Sequence, residues 1–259
     1  MSKDALGGMR KAQKRNLLPD IDLLPQIEYA GKKIDAAIFG PGTYNNNVAR
    51  MGEEHRHSDA LSNVTFKPLS TAESLAVASY NFAKLAKPMI FDLNWLQAGR
   101  ILRAQEGVWA NLPQDGEGKL ITDERELKKS LGKAQRIKVG SGYIYLGDND
   151  FGFAEYGTFA SGIQDADTFV QGGLARVLEH TPEQAAENLK LIASERDYSN
   201  GVFVWVFNSV KKPVLKVVRL GSGRDFYDDR LDVVGGLWYG NDGYAFGGLV
   251  SGEASAPKK

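Results

Sequence analysis

The segment RIKVGSGYIYLGDNDFGFAEY, residues 136–156, carries a clear strand pattern. Its β-branched and aromatic residues fall into three short runs, at 137–139, 143–146 and 151–156. Turns rich in Gly, Ser, Asp and Asn separate these runs, which predicts a meander of three short strands. From residue 136 onward, strand patterns of this kind dominate the sequence.

The rest of the C-terminal half is also predicted to consist mainly of strands, interrupted by two helices. Helices are predicted at about 166–180 and from 181 to about 194. Aromatic and β-branched runs at 202–207 and 214–220 then predict two more strands. Near the end, Asn241-Asp242-Gly243 is typical of a hairpin turn between short aromatic strands.

The N-terminal half shows more helical patterns. Ser70 and Glu73 have the spacing of a capping box, and Pro88 ends the predicted helix near residue 87. A second helical piece is predicted at 94–104, and a short charged helix ends near residue 131. The predicted fold class is therefore α+β, with a helix-rich N-terminal half and an antiparallel β-rich C-terminal half in one compact unit.

The domain organisation is predicted from composition. Residues 1–18 form a basic N-terminal arm, residues 19–251 a single α+β domain, and residues 252–259 a disordered tail. A sub-boundary near 132–135, where the helical patterns stop, is the alternative to a single domain.

Composition limits the function classes. Of the 259 residues, 42% are hydrophobic and 25% charged, as in an ordinary soluble globular protein. The chain has no cysteine, which excludes disulfides, thiol nucleophiles and Cys-ligated metals. No apolar run reaches the ~20 residues of a membrane span, and a cytoplasmic location is predicted. The formal net charge of +0 argues against a dedicated nucleic-acid binder without excluding nucleic acid as a partner.

A candidate metal site lies at His55, His57 and Asp59. Two histidines one residue apart on an extended segment point to the same side and could share a divalent metal ion with a carboxylate. The pattern resembles part of the metal-binding motif of metallo-β-lactamase-like hydrolases. That family has a histidine where Ala60 stands here, so the chain is not assigned to it.

A candidate phosphate or anion site lies at Gly40, Gly42 and Thr43. These residues follow a predicted strand, and glycines allow backbone N–H groups to approach an anion. The sequence lacks the Lys-Ser/Thr pair of a P-loop, so an ordinary turn is the alternative.

A candidate binding surface lies at Trp238, Tyr239 and Tyr244, within a β-rich half that is rich in aromatic residues. Aromatic faces bind macromolecules by stacking and apolar contact, although rings on strands also build cores. The preferred function is a non-catalytic binding or accessory protein with a macromolecular partner. The alternatives are a metal-dependent hydrolase centred on His55 and His57, and a structural protein that self-assembles.

Overall fold

The computed structural model describes residues 23–56, 63–84, 95–194, 198–222, 230–236 and 243–250. Within these ranges the chain forms fifteen strands and six helices. The strands are β1 (Ile27–Tyr29), β2 (Lys32–Ile34), β3 (Ala36–Gly42), β4 (His55–Arg56), β5 (Asn63–Pro68), β6 (Trp95–Arg103), β7 (Gly107–Ala110), β8 (Gln135–Val139), β9 (Gly142–Leu146), β10 (Gly152–Glu155), β11 (Gly162–Gln164), β12 (Val202–Trp205), β13 (Val214–Ser222), β14 (Leu231–Val234) and β15 (Gly243–Val250). The helices are α1 (Tyr44–Met51), α2 (Thr71–Lys84), α3 (Glu124–Ser130), α4 (Ala166–Gln171), α5 (Gly173–Glu179) and α6 (Glu187–Ala193).

One large sheet organises the described residues. Its main path runs β11-β12-β14-β13-β6-β7-β10-β9-β8, and β15 joins β3 and β5 to the start of β6. The helices α2, α5 and α6 pack together on the sheet, and their apolar residues share one core cluster with β6, β12 and β13. Strands from both ends of the sequence therefore meet in the middle of the sheet.

The predicted helix-rich N-terminal half is wrong. Seven strands and only three short or medium helices lie between residues 27 and 131 of the described chain, which is mostly β. The predicted helix at 94–104 is strand β6. This strand pairs with β13 along one edge and with β15 and β7 along the other, and both of its faces are largely buried. Because both faces are buried, the alternation that marks a half-buried strand is missing.

Several local predictions are confirmed. The meander of residues 136–156 is present as the antiparallel neighbours β8, β9 and β10. The capping box of α2 is formed, since Ser70 N donates to Glu73 Oε2 at 2.9 Å and Glu73 N donates to Ser70 Oγ at 3.1 Å. The helix predicted at 166–180 exists as α4 and α5, which are separated at Gly172. The helix predicted from residue 181 begins only at Glu187.

Some predictions fall outside the described residues. These are the basic arm at 1–18, the tail at 252–259 and most of the hairpin around residues 237–242. The division into domains stays a prediction. In the part of the chain that the structure describes, no helix is long and apolar enough to cross a membrane.

Candidate functional site

Strands β11 and β12 carry an apolar surface at one end of the sheet path. Ile163 lies directly opposite Phe203 in the β11–β12 register, so their side chains share one face of the sheet. Ile163 is 66% exposed, and Phe203 and Trp205 are each partly exposed. We call this surface, made by Ile163, Phe203, Trp205 and Arg230, the aromatic face.

The aromatic face is held in a fixed arrangement. The rings of Phe203 and Trp205 are parallel within 7° and their centroids lie 5.8 Å apart. The guanidinium of Arg230 lies over the Phe203 ring, with its carbon atom 4.5 Å from the ring centroid. Arg230 Nε also donates to Asp232 Oδ1 at 3.2 Å, and this bond orients the guanidinium over the ring. The result is a pre-arranged stack of planar groups.

The strand alternation separates this face from the core. Val202 and Val204 alternate with Phe203 and Trp205 along β12, and both valines are buried in the main core cluster. A change of side chain on the aromatic face therefore leaves the packing below it in place.

The sequence pattern could have revealed part of this surface. Val-Phe-Val-Trp at 202–205 alternates β-branched and aromatic residues, which places both rings on one side of a strand. Trp205 belongs to the aromatic set of the β-rich half, but Ile163 joins it only through sheet pairing and Arg230 only through its contact with the Phe203 ring. No local signal in the sequence connects those two positions with Phe203.

The predicted binding surface is only partly described. Trp238 and Tyr239 lie outside the described residues. Tyr244 lies on β15, where it is half-buried and pairs with Leu96 of β6. Its ring packs against Gly40, because a Cβ at Gly40 would come within 2.7 Å of Tyr244 Cδ1. Tyr244 therefore has a packing partner in β3. That Trp238, Tyr239 and Tyr244 form a binding surface stays a prediction.

His55 is buried inside an aromatic cluster. Its ring meets the rings of Phe39 and Phe66 edge-on, with centroids 5.3 Å and 5.8 Å away. Its Nε2 donates to the backbone carbonyl of Arg50 at 2.6 Å, because a carbonyl oxygen only accepts. His55 thus joins the end of α1 to β4 and β5.

The metal proposal depends on residues outside this cluster. His57 and Asp59 lie outside the described residues, and the described ranges hold no group of three His, Asp or Glu side chains arranged to bind a metal ion. Substitution of His55 also disturbs packing. Metal content after His57→Ala is therefore the cleaner test of this proposal.

The predicted anion site has structural roles in the fold. Thr43 caps α1, and its hydroxyl accepts from Asn46 N at 3.3 Å. The Gly42 carbonyl accepts from the side-chain amides of Asn47 and Gln97 at 3.3 Å and 3.0 Å. A Cβ at Gly40 would collide with β15. These glycines bring β3 close to its neighbours, and anion binding at Gly40, Gly42 and Thr43 stays a prediction.

No family model matches the sequence, and no curated protein matches it. One solved structure that is similar to this chain is described as "Accommodation of massive sequence variation in Nanoarchaeota by the C-type lectin fold". The similarity covers 84% of this chain and 98% of the other, with a TM-score of 0.50 and 15% sequence identity. At this identity the similarity concerns the fold alone, and the fold of this chain is accordingly C-type-lectin-like.

Proposed function

We propose that this chain is a non-catalytic binding protein that holds a macromolecular partner on its aromatic face. The observation that carries the proposal is the Phe203–Trp205 stack, covered by Arg230 and bordered by the exposed Ile163. Aromatic and Arg side chains contribute most of the binding energy in protein interfaces. Rings that are already fixed by stacking lose little conformational freedom on binding, so more of their contact energy stabilises the complex.

The fold similarity supports a binding role. The related structure concerns a C-type lectin fold that accommodates massive sequence variation. Variation on that scale requires surface positions that can change without disturbing the core. The aromatic face has this property, because Phe203 and Trp205 alternate with the buried Val202 and Val204.

The surface predicted from sequence belongs to the same proposal. Trp238 and Tyr239 follow β14 in the sequence, and β14 pairs directly with β12 of the aromatic face. We include these two residues as candidate contacts to the partner. The side chain of Tyr244 packs against β3, so we expect it to contribute less.

The test compares a face variant with a matched control. A partner is captured from cells of the source organism with the full chain, purified, and its affinity measured by biolayer interferometry. The double variant Phe203→Ala/Trp205→Ala removes the stack, whereas Leu191→Ala removes a 40%-exposed apolar side chain on α6. Loss of a central aromatic contact costs about 2 kcal/mol, or roughly 30-fold in affinity.

We expect that loss in the double variant and an unchanged affinity in the control. Far-UV circular dichroism and urea unfolding establish that both variants are folded. Unchanged affinity in a folded double variant would refute binding through the aromatic face.

A further inference from the structure

A polar cleft of about 350 Å³ lies on a different part of the molecule from the aromatic face and shares no residue with it. Side chains from separate elements converge on it: Lys32 from β2, Lys67 from β5 and Arg100 from β6, with the start of α2 between them. We call it the basic cleft. Its volume is within the range of sites that bind small molecules.

The carboxylates of the cleft already serve internal donors. Asp150 Oδ2 accepts from the Ser70 hydroxyl at 2.5 Å, and Asp150 Oδ1 accepts from the Tyr29 hydroxyl at 3.2 Å. Glu73 Oε2 accepts from the Ser70 backbone N–H as part of the capping box. Burial, followed by the charge of Asp150, raises the pKa of Tyr29, so this phenol stays protonated as a donor. Asp150 and Glu73 also line the cleft, where they accept from donors of the protein itself, and the three cations outnumber these two carboxylates.

The three cations, by contrast, have no acidic partner within the described ranges. Lys32 and Lys67 are exposed at the rim and form no ion pair with a described residue. Arg100 donates to the neutral amide oxygen of Asn45 at 3.0 Å, and its guanidinium lies 5.4 Å from the centroid of the Tyr44 ring. This arrangement holds the guanidinium at the cleft while leaving its charge uncompensated.

We propose that the basic cleft binds a small phosphomonoester, with Arg100 and Lys67 on the phosphate oxygens. Three cations in a concave surface attract a divalent oxyanion, and guanidinium and ammonium groups form charge-assisted hydrogen bonds to it. The cleft is larger than a phosphate ion alone, and Asn149 and Gln114 at its edge offer amide groups to hydroxyls of the ligand. The anion is held by side chains from three strands and makes no use of the Gly40–Gly42 segment at the end of β3.

The test uses the full chain and isothermal titration with inorganic phosphate and with glycerol 3-phosphate. Lys67→Ala is the main variant, because this side chain is exposed and forms no ion pair with a described residue. Arg100→Ala is the second variant, and Lys133→Ala, which removes an exposed charge after α3, is the control. A parallel arm with vesicles that contain phosphatidic acid distinguishes a lipid-borne phosphate from a free one.

We expect glycerol 3-phosphate to bind the unaltered chain and the Lys133→Ala variant with the same affinity. Each cleft variant should weaken binding by at least about tenfold, as expected for loss of one charge-assisted contact. Binding of phosphatidic acid that depends on Lys67 would support the same site with a lipid-borne ligand. The absence of binding in both arms, or equal weakening in the control, would overturn the proposal.

Discussion

The side-chain amide of Asn47 joins the strands that meet at the start of α1, and Asn47→Ala tests this role. Asn47 is fully buried, and its Nδ2 donates to the Gly243 carbonyl at 2.8 Å and to Gln97 Oε1 at 2.9 Å. A third contact reaches the Gly42 carbonyl at 3.3 Å, but that oxygen keeps a second donor, Gln97 Nε2. Alanine therefore removes this donor from two buried acceptors. At about 1–3 kcal/mol for each unsatisfied group, the expected loss of unfolding free energy is about 2–6 kcal/mol.

The measurement is urea unfolding followed by circular dichroism. The matched control is Asn46→Ala, the same chemical change at the neighbouring exposed helical position. We expect the control to stay within about 0.5 kcal/mol of the unaltered chain. A similar m-value in both variants would show that both expose the same surface area on unfolding. If Asn47→Ala costs no more than Asn46→Ala, the amide does not hold this junction together and the argument fails.

Three further changes test the packing and electrostatics. Gly99→Ala places a Cβ against the hydroxyl of the buried Thr71 and within 3.3 Å of its Cα. We therefore expect urea unfolding to show a loss of about 1–3 kcal/mol in the free energy of unfolding. Unchanged stability would contradict this close approach. Burial raises the pKa of Glu179, so its contribution to stability is present at low pH and is lost as pH rises through that raised value. Unfolding titrations between acid and neutral pH should therefore show a smaller decrease for Glu179→Gln, and an identical pH profile would refute this account. His55→Ala leaves a space beside Phe66 and should lower the free energy of unfolding by about 2 kcal/mol or more, which thermal unfolding would show as a lower midpoint. An unchanged midpoint would place the ring outside the core.

The elements that the sequence predicted correctly are those with local causes. The meander at 135–155 depends on short turns between neighbouring strands, and the start of α2 depends on the side chains of Ser70 and Glu73. The short helix α3 likewise begins at its own cap, Asp123, whose side chain accepts from the N–H groups of the first turn. Interactions of this kind span few residues, so they are readable from spacing alone.

The candidate site depends partly on local sequence and partly on contacts between distant segments. Phe203 and Trp205 share a side because residues two apart on a strand do so, and this follows from sequence. That their side remains partly exposed while Phe153 and Phe246 are buried depends on which strands and helices cover each face. Ile163 and Arg230 reach the same surface from distant segments.

Sequence alone determined the composition class, the turns of the meander, the capping box of α2, and the position of most strands in the C-terminal half. The tertiary structure decided that residues 95–103 form a central strand and that β14 lies between β12 and β13, parallel to the first and antiparallel to the second. The physical reason is that these choices rest on pairing between segments far apart in the chain, where burial on both faces removes the periodic pattern. The same long-range pairing assembles the aromatic face and, separately, the basic cleft, so neither could be derived from the order of residues alone.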